Sequence, residues 1–333
     1  MSRTTLRALL LFAALAVTTF ALPVFLNDFR AQQFAYVGIY LVALTGLNLL
    51  TGYTGQISLG HGAFMAIGGY TTAILMIDHG VKDIATIPLA IVVTGVAGVL
   101  VGIPAARLSG LYLALATFAI AVATPAVIKK FEGFTGGGSG VNLFGTPELT
   151  ASLTPVRVAG FELNFNNWLY YLSWTVALAG YVIAWLILRG RTGRAFRAVR
   201  DSETAAVSSG ISLTRTKVLA FAISAAYAGA AGALFAIATT FVNPDTFPVA
   251  LSIFLLVGVV VSGLGSLTGL IAGAVFIQFM PLWAQSVSKS AGAPAVVYGL
   301  ILILLILAMP GGAAGLISRV STLTRRGRNF PKP

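Results

Sequence analysis

The sequence predicts an all-α protein, a polytopic membrane helix bundle of about ten transmembrane helices, each ~20 residues long to cross a ~30 Å hydrocarbon core. Three observations predict it. Hydrophobic residues fill 57% of the 333 positions and charged residues only 9%, too few charges to clothe a soluble domain. The apolar residues fall in runs of about 18–22, the length of a helical span. The Lys and Arg residues gather in the short loops between these runs, as they do when loops alternate between the two sides of a membrane.

The runs lie at about 8–26, 33–50, 57–77, 84–103, 110–128, 167–188, 217–241, 248–262, 268–286 and 294–310. The first follows Arg3 and Arg7. It has no clear small-x-small cleavage site before Pro23 and is long for a signal-peptide core, so an uncleaved span is expected. With the N-terminus inside, the inner loops hold 15 of the 21 Lys and Arg residues, seven of them from Arg189 to Lys217 and five from Arg319 to Lys332. The outer side holds Arg30, Lys82, Lys129, Lys130, Arg157 and Lys289. This asymmetry places both termini in the cytoplasm and requires an even number of spans. At 248–286, two short spans or one span plus a re-entrant piece both fit.

Residues 1–333 thus read as a single transmembrane domain with an external loop at 130–166 and a cytoplasmic loop at 189–216. The external loop is rich in Gly, Thr, Asn and Pro, which predicts turns and a short hairpin around Val156–Asn164. It serves as a solvated connector or as a docking surface for an external partner.

Composition also excludes function classes. The net charge of +12 comes from short loops between apolar runs, so it does not indicate a nucleic-acid partner. The chain has no cysteine and two histidines, which removes disulfides, thiol chemistry and a histidine-rich metal site. No Asp or Glu falls inside an assigned span, which argues against a proton relay, a stand-alone secondary carrier and a membrane enzyme.

Two glycine-broken segments, 52–69 and 263–276, interrupt apolar regions at the third and at the eighth to ninth spans. In the alternating topology these positions suit an inverted repeat whose broken helices mark a pathway, although their residue-level match is poor. His61 is an ionisable group well inside a span, with Gln56 just before it. It either lines a pathway or hydrogen-bonds a neighbouring helix. Ser58, Tyr112 and Thr117 join Gln56 and His61 as candidate pathway residues, with core packing the alternative for Tyr112 and Thr117.

The cytoplasmic loop is the most informative stretch. In "GRAFRAVRDSETAAVSSG" (193–210), Thr192 is placed to cap a helix over about 194–200. Arg194, Arg197 and Arg200 share one face of it, and Ala195, Phe196 and Val199 share the other. Such a helix lies along the membrane surface with its arginines near anionic lipid head groups. Asp201 or Ser202 then caps a second helix, Glu203–Ser209, with Glu203 in its first turn and Gly210 as terminator. A solvated basic loop explains the arginines. It does not explain a capped, Ala-rich helix that carries Asp201 and Glu203, which is suited to entering a groove on a cytoplasmic partner.

Here the residues resemble a family. Ala205-Ala206-x-x-x-Gly210 is similar to the coupling motif of ABC importer permeases, with Thr204 in the place of the usual Glu and Glu203 one position earlier. "GLNLLTGYTGQISLGHGAFMAIGGY" (46–70), "RLSGLYLALATFA" (107–119), "TGGGSGV" (135–141), the 193–212 stretch and "GLGSLTGLIAGA" (263–274) resemble branched-chain amino acid permeases of the LivM type, in that family's order from about residue 35 to 315.

The resemblance implies one membrane subunit of a five-part importer in a bacterial inner membrane. Its partners would be a second, LivH-like permease, two cytoplasmic ATPase subunits that carry the ATP and Mg, and a periplasmic substrate-binding protein. It implies branched-chain amino acids as cargo, moved by ATP-driven alternating access, with urea or a short-chain amide as the other cargo such permeases serve. Arg194, Arg197, Asp201, Glu203, Ala205, Ala206 and Gly210 would couple the chain to an ATPase. This chain should bind no cofactor, and it lacks a Gly-x-x-x-x-Gly-Lys-Ser/Thr phosphate loop.

Overall fold

The computed structural model describes residues 27–144 and 164–287, together with 296, 299–301, 303, 304, 307 and 311–315. Its helices are α1 (Asp28–Leu47), α2 (His61–His79), α3 (Asp83–Ala105), α4 (Gly110–Lys130), the single turn α5 (Glu132–Thr135), α6 (Phe165–Arg189), α7 (Arg191–Asp201), α8 (Glu203–Ser208), α9 (Leu213–Thr239), α10 (Val249–Ser262) and α11 (Leu270–Val287). A π-helical turn, Asn48–Gly52, extends α1. Two-residue strands β1 (Val141–Asn142) and β2 (Phe241–Val242) pair antiparallel, Val141 with Val242 and Asn142 with Phe241.

Six of these stretches are long and apolar enough to cross a membrane: Asp28–Gly52, Asp83–Ala105, Gly110–Lys130, Phe165–Arg189, Leu213–Thr239 and Pro244–Ser262. The expected span at 8–26, most of the one at 294–310 and the expected hairpin at Val156–Asn164 lie outside the described residues, save Asn164 itself. The observed strands lie elsewhere, where β1 joins the start of the expected external loop to the end of α9.

Small residues set the packing. A side chain at Gly98 of α3 would collide with Ala225 of α9, and one at Gly229 of α9 would collide with Thr94 of α3. Ala- and Gly-rich faces let helix backbones approach closely where lipid offers no competing hydrophobic drive. The α1 helix is almost enclosed, packed against α6, α9 and α11. Trp174 Nε1 of α6 donates to Phe34 O of α1 at 3.0 Å, and Tyr227 Oη of α9 donates to Gly180 O of α6 at 2.6 Å.

The partners fix relative directions. Asp28 and Asn164, at the starts of α1 and α6, are joined by a 2.8 Å hydrogen bond from Asn164 Nδ2 to Asp28 Oδ2. The other end gathers a second apolar core of Leu50, Ala105, Leu113, Phe196, Ala220 and Phe221. Residues late in α3 and early in α4 and α9 therefore meet there, so these successive long helices alternate in direction.

The expected third span, 57–77, is corrected at its start. Gly55–Gly60 is not helical and α2 begins at His61. The 248–286 region resolves into two helices packed face to face. A side chain at Gly273 of α11 would run into Ser262 and Gly258 of α10. Gly265 and Gly269 precede α11 in the intervening turns, so Gly265, Gly269 and Gly273, although four residues apart, do not share one helical face.

Candidate functional site

Non-helical backbone inside an apolar bundle must find partners for its amide groups. In and just after Gly55–Gly60, other helices supply two of them. Leu59 N–H donates to Thr117 Oγ1 of α4 at 2.9 Å, and Gly62 N–H donates to Ser252 Oγ of α10 at 2.9 Å. Gln56 N–H returns to Leu50 O at 3.2 Å. The His61 Nε2 atom lies 3.0 Å from Ala43 O of α1. Ala43 precedes Gly52 by nine residues, about 13 Å of helix, so the chain climbs back into the bundle before α2 begins.

Of the candidate pathway residues, this arrangement joins Ser58, His61 and Thr117, all buried, with Gln56 beside them. Gln56 Nε2 donates to Thr54 Oγ1 at 3.0 Å, while its buried Oε1 has no hydrogen-bond partner among the described residues. Tyr112 stands apart, 74% exposed near the start of α4. The structure thus gives His61 and Thr117 structural partners and leaves the Gln56 carbonyl available. Carboxylates keep to the helix ends: Asp28 and Asp83 open α1 and α3, and Asp78 sits in the last turn of α2.

At the Phe196 end, α6 turns at Gly190 into α7. Thr192 is not the cap, because the helix starts earlier, at Arg191, with Gly190 in the N-cap position. Gly193, Phe196 and Val199 recur every third residue and are buried, Phe196 completely. Only one of the three expected lipid-facing arginines is left without a protein contact of that kind: Arg194 is exposed, whereas Arg197 Nη1 donates to Leu188 O at 3.3 Å and Arg200 Nη1 donates to Gly52 O. Helix ends carry unsatisfied carbonyls and negative dipole, which accounts for guanidinium groups seated on Leu188 and Gly52.

The second helix, α8, follows sequence expectation closely at its ends. Ser202 Oγ accepts from Ala205 N–H at 3.2 Å, the N-cap bond. Gly210 has φ +79°, the left-handed geometry that stops a helix, and Ile211 N–H reaches back to Ala206 O at 3.0 Å. Glu203 Oε1 pairs with Lys217 Nζ of α9 at 2.7 Å, the lysine side chain 5% and the glutamate 45% exposed. Ala205 and Val207 face outward, as does Asp201 at the end of α7. Ala206 is turned inward and is 2% exposed, so it seats α8 on the rest of the chain instead of presenting itself to a partner.

Sequence reasoning missed two residues here. Asn48 Nδ2 donates to Ser266 O at 3.0 Å and its Oδ1 accepts from Gly265 N–H at 3.0 Å. Lys217 anchors α8. Lys217 carried a signal, a cation at the mouth of an apolar span; Asn48, one polar residue in an apolar run, carried a weaker one.

Residues 30–309 match the family described as the branched-chain amino acid transport system permease component. The chain is 34% identical over 288 residues to the high-affinity branched-chain amino acid transport system permease protein LivM of Salmonella typhimurium, covering 82% of this chain and 68% of that protein. It is 33% identical over 289 residues to the Escherichia coli protein of the same name, with the same coverage. A shorter stretch of 111 residues, 32% of each chain, is 34% identical to the autoinducer 2 import system permease protein LsrC of Klebsiella pneumoniae. No solved structure matches.

Proposed function

Because the chain belongs to the branched-chain amino acid transport system permease family, a multi-pass permease subunit of an ABC importer, we propose that it carries branched-chain and related hydrophobic amino acids across a bacterial inner membrane by ATP-driven alternating access. Catalysis of ATP hydrolysis falls to separate ATPase subunits, with ATP and Mg bound there. A second permease completes the membrane unit, and a periplasmic binding protein delivers cargo. Both termini and α7–α8 face the cytoplasm in this reading.

The observation that carries it is the contrast within the α7–α8 loop. One helix is embedded in a core shared with α1, α3, α4 and α9, and the next offers an outward surface around Ala205 and Val207. An ATPase that grips α8 can then displace α7, and through Phe196 the ends of four long helices. This shifts the population between states that open to opposite sides.

Uptake of labelled leucine and labelled urea by cells with and without the gene tests the cargo. Loss of leucine uptake alone supports the reading. Loss of urea uptake alone keeps the importer and replaces the amino acid with urea or an amide. The partial match to an autoinducer 2 import permease shows why cargo needs its own measurement. Co-purification with an ATPase separates any importer from a stand-alone carrier.

A further inference from the structure

The two glycine-broken segments, which begin at Gly52 and Gly263, are in direct contact with each other and with the end of α7. Three groups make the joint. The π-helical turn at Asn48–Gly52 extends α1 and shifts its backbone register, with Gly52 O at its close. Arg200 Nη1 donates to that carbonyl. Asn48 reaches across to the other break with both of its amide atoms, on Gly265 N–H and Ser266 O. The Tyr53 hydroxyl lies beside the Leu267 backbone, with Arg197 and Arg200 nearby.

There is no slack in this contact. A Cβ at Gly265 would strike Arg200 Nη1 and Gly52 O, and one at Gly52 would strike Asn48 Oδ1 and Gly265 N. Gly265 also has φ +74°, which a side chain would strain. A guanidinium that only capped α1 would need none of the Gly265 geometry. An asparagine that only stabilised the π-turn would not bond a residue 217 positions away.

We propose that Arg200 and Asn48 form a mechanical joint that couples α7 to both broken segments at once, so that the segments around Gly52 and Gly265 move as one piece when the ATPases drive α7. Arg200 and Asn48 are positioning residues: they touch neither cargo nor nucleotide, and act by carrying displacement to the backbone breaks. This rests on the importer reading above.

The test uses the assembled complex, this chain with its co-purifying permease and ATPases, reconstituted in proteoliposomes with the loaded binding protein. Uptake and ATP hydrolysis are measured together for Arg200→Ala, Asn48→Ala and Arg200→Lys. Expected is normal ATPase co-purification, ATP hydrolysis within twofold of wild type, and uptake per ATP at least tenfold lower in both Ala variants. Arg200→Lys keeps one donor for Gly52 O and should recover at least half of the coupling. Unchanged uptake per ATP in both Ala variants overturns the joint, as does a parallel fall of uptake and hydrolysis, which marks a docking or folding defect.

A second measurement does not depend on truncating the joint. The chain has no native cysteine, so Tyr53→Cys with Leu267→Cys can be bridged by a short bis-methanethiosulfonate reagent. Segments that move together should transport when tethered, with uptake within twofold of the unbridged double variant. Loss of uptake on bridging, restored by reductant, means the segments separate and sinks the proposal. A wild-type chain that co-purifies with no ATPase overturns the importer reading and this joint with it. Normal wild-type uptake with unaffected Ala variants overturns the joint alone.

Discussion

The helices α7 and α8 are neighbours in sequence and opposites in construction. The α7 helix turns a residue of every third position inward and ends with Arg200 on the backbone of α1. The α8 helix buries Ala206 and is otherwise held by its Ser202 cap and by Glu203 on Lys217. The difference teaches a division of labour. Under the proposed function, transmitting a displacement calls for a packed element and receiving a partner for an accessible one, and this single loop contains one of each.

The comparison can be broken most severely at Phe196. Phe196→Ala removes the fully buried ring that joins α7 to the second core, and should cost about 3 kcal/mol or more, read as a lowered thermal unfolding midpoint of the purified chain in detergent. An unchanged midpoint would mean that α7 is not built into the bundle. Next comes Gly265→Ala, where overlap with Arg200 and a left-handed backbone should cost about 1–3 kcal/mol, with loss of uptake per ATP. Glu203→Ala is smaller, about 1 kcal/mol, because it strands the Lys217 ammonium while half of the pair already faces solvent. A double-mutant cycle with Lys217→Met isolates that tether, and no coupling energy between the two would remove it from the account.

The smallest expected effect on stability is the sharpest test of the comparison. Val207 is 54% exposed, so Val207→Asp should leave the unfolding midpoint within about 0.5 kcal/mol of wild type yet sharply reduce ATPase co-purification. Full co-purification would deny α8 its receiving role. A charge at Ala206 is the poorer experiment, since that side chain faces inward and the change would disturb both functions.

Local rules made much of this legible. Ser202 as a cap and Gly210 as a stop follow from side-chain oxygens and from glycine's access to positive φ, and both stand in the structure. Span centres followed from apolar run length, so α3, α4, α6 and α9 lie within a few residues of their expected ranges. What failed depended on distant partners. The third span begins at His61, several residues late, where Thr117 receives Leu59 N–H of the non-helical segment and Ser252 receives Gly62 N–H at the start of α2. The bonds of Arg197 to Leu188 O and of Arg200 to Gly52 O were not foreseen, since a helical projection of α7 knows nothing of those carbonyls. Asn48 was missed for the same reason: its role exists only once Gly265 is beside it.

Those hydroxyl supports also bear on how the protein is made. The chain emerges from the ribosome at about 5–20 residues per second, and Ser252 follows Gly62 by 190 positions. A nascent chain therefore inserts α1 and α2 and then waits roughly 10–40 s before the hydroxyl that receives Gly62 N–H has even been synthesised. During that interval Gly62 N–H, at the start of α2, depends on a substitute acceptor, such as water, a lipid head group or the insertion machinery. The order of synthesis thus makes the bond that ties the start of α2 to α10 a late one to form.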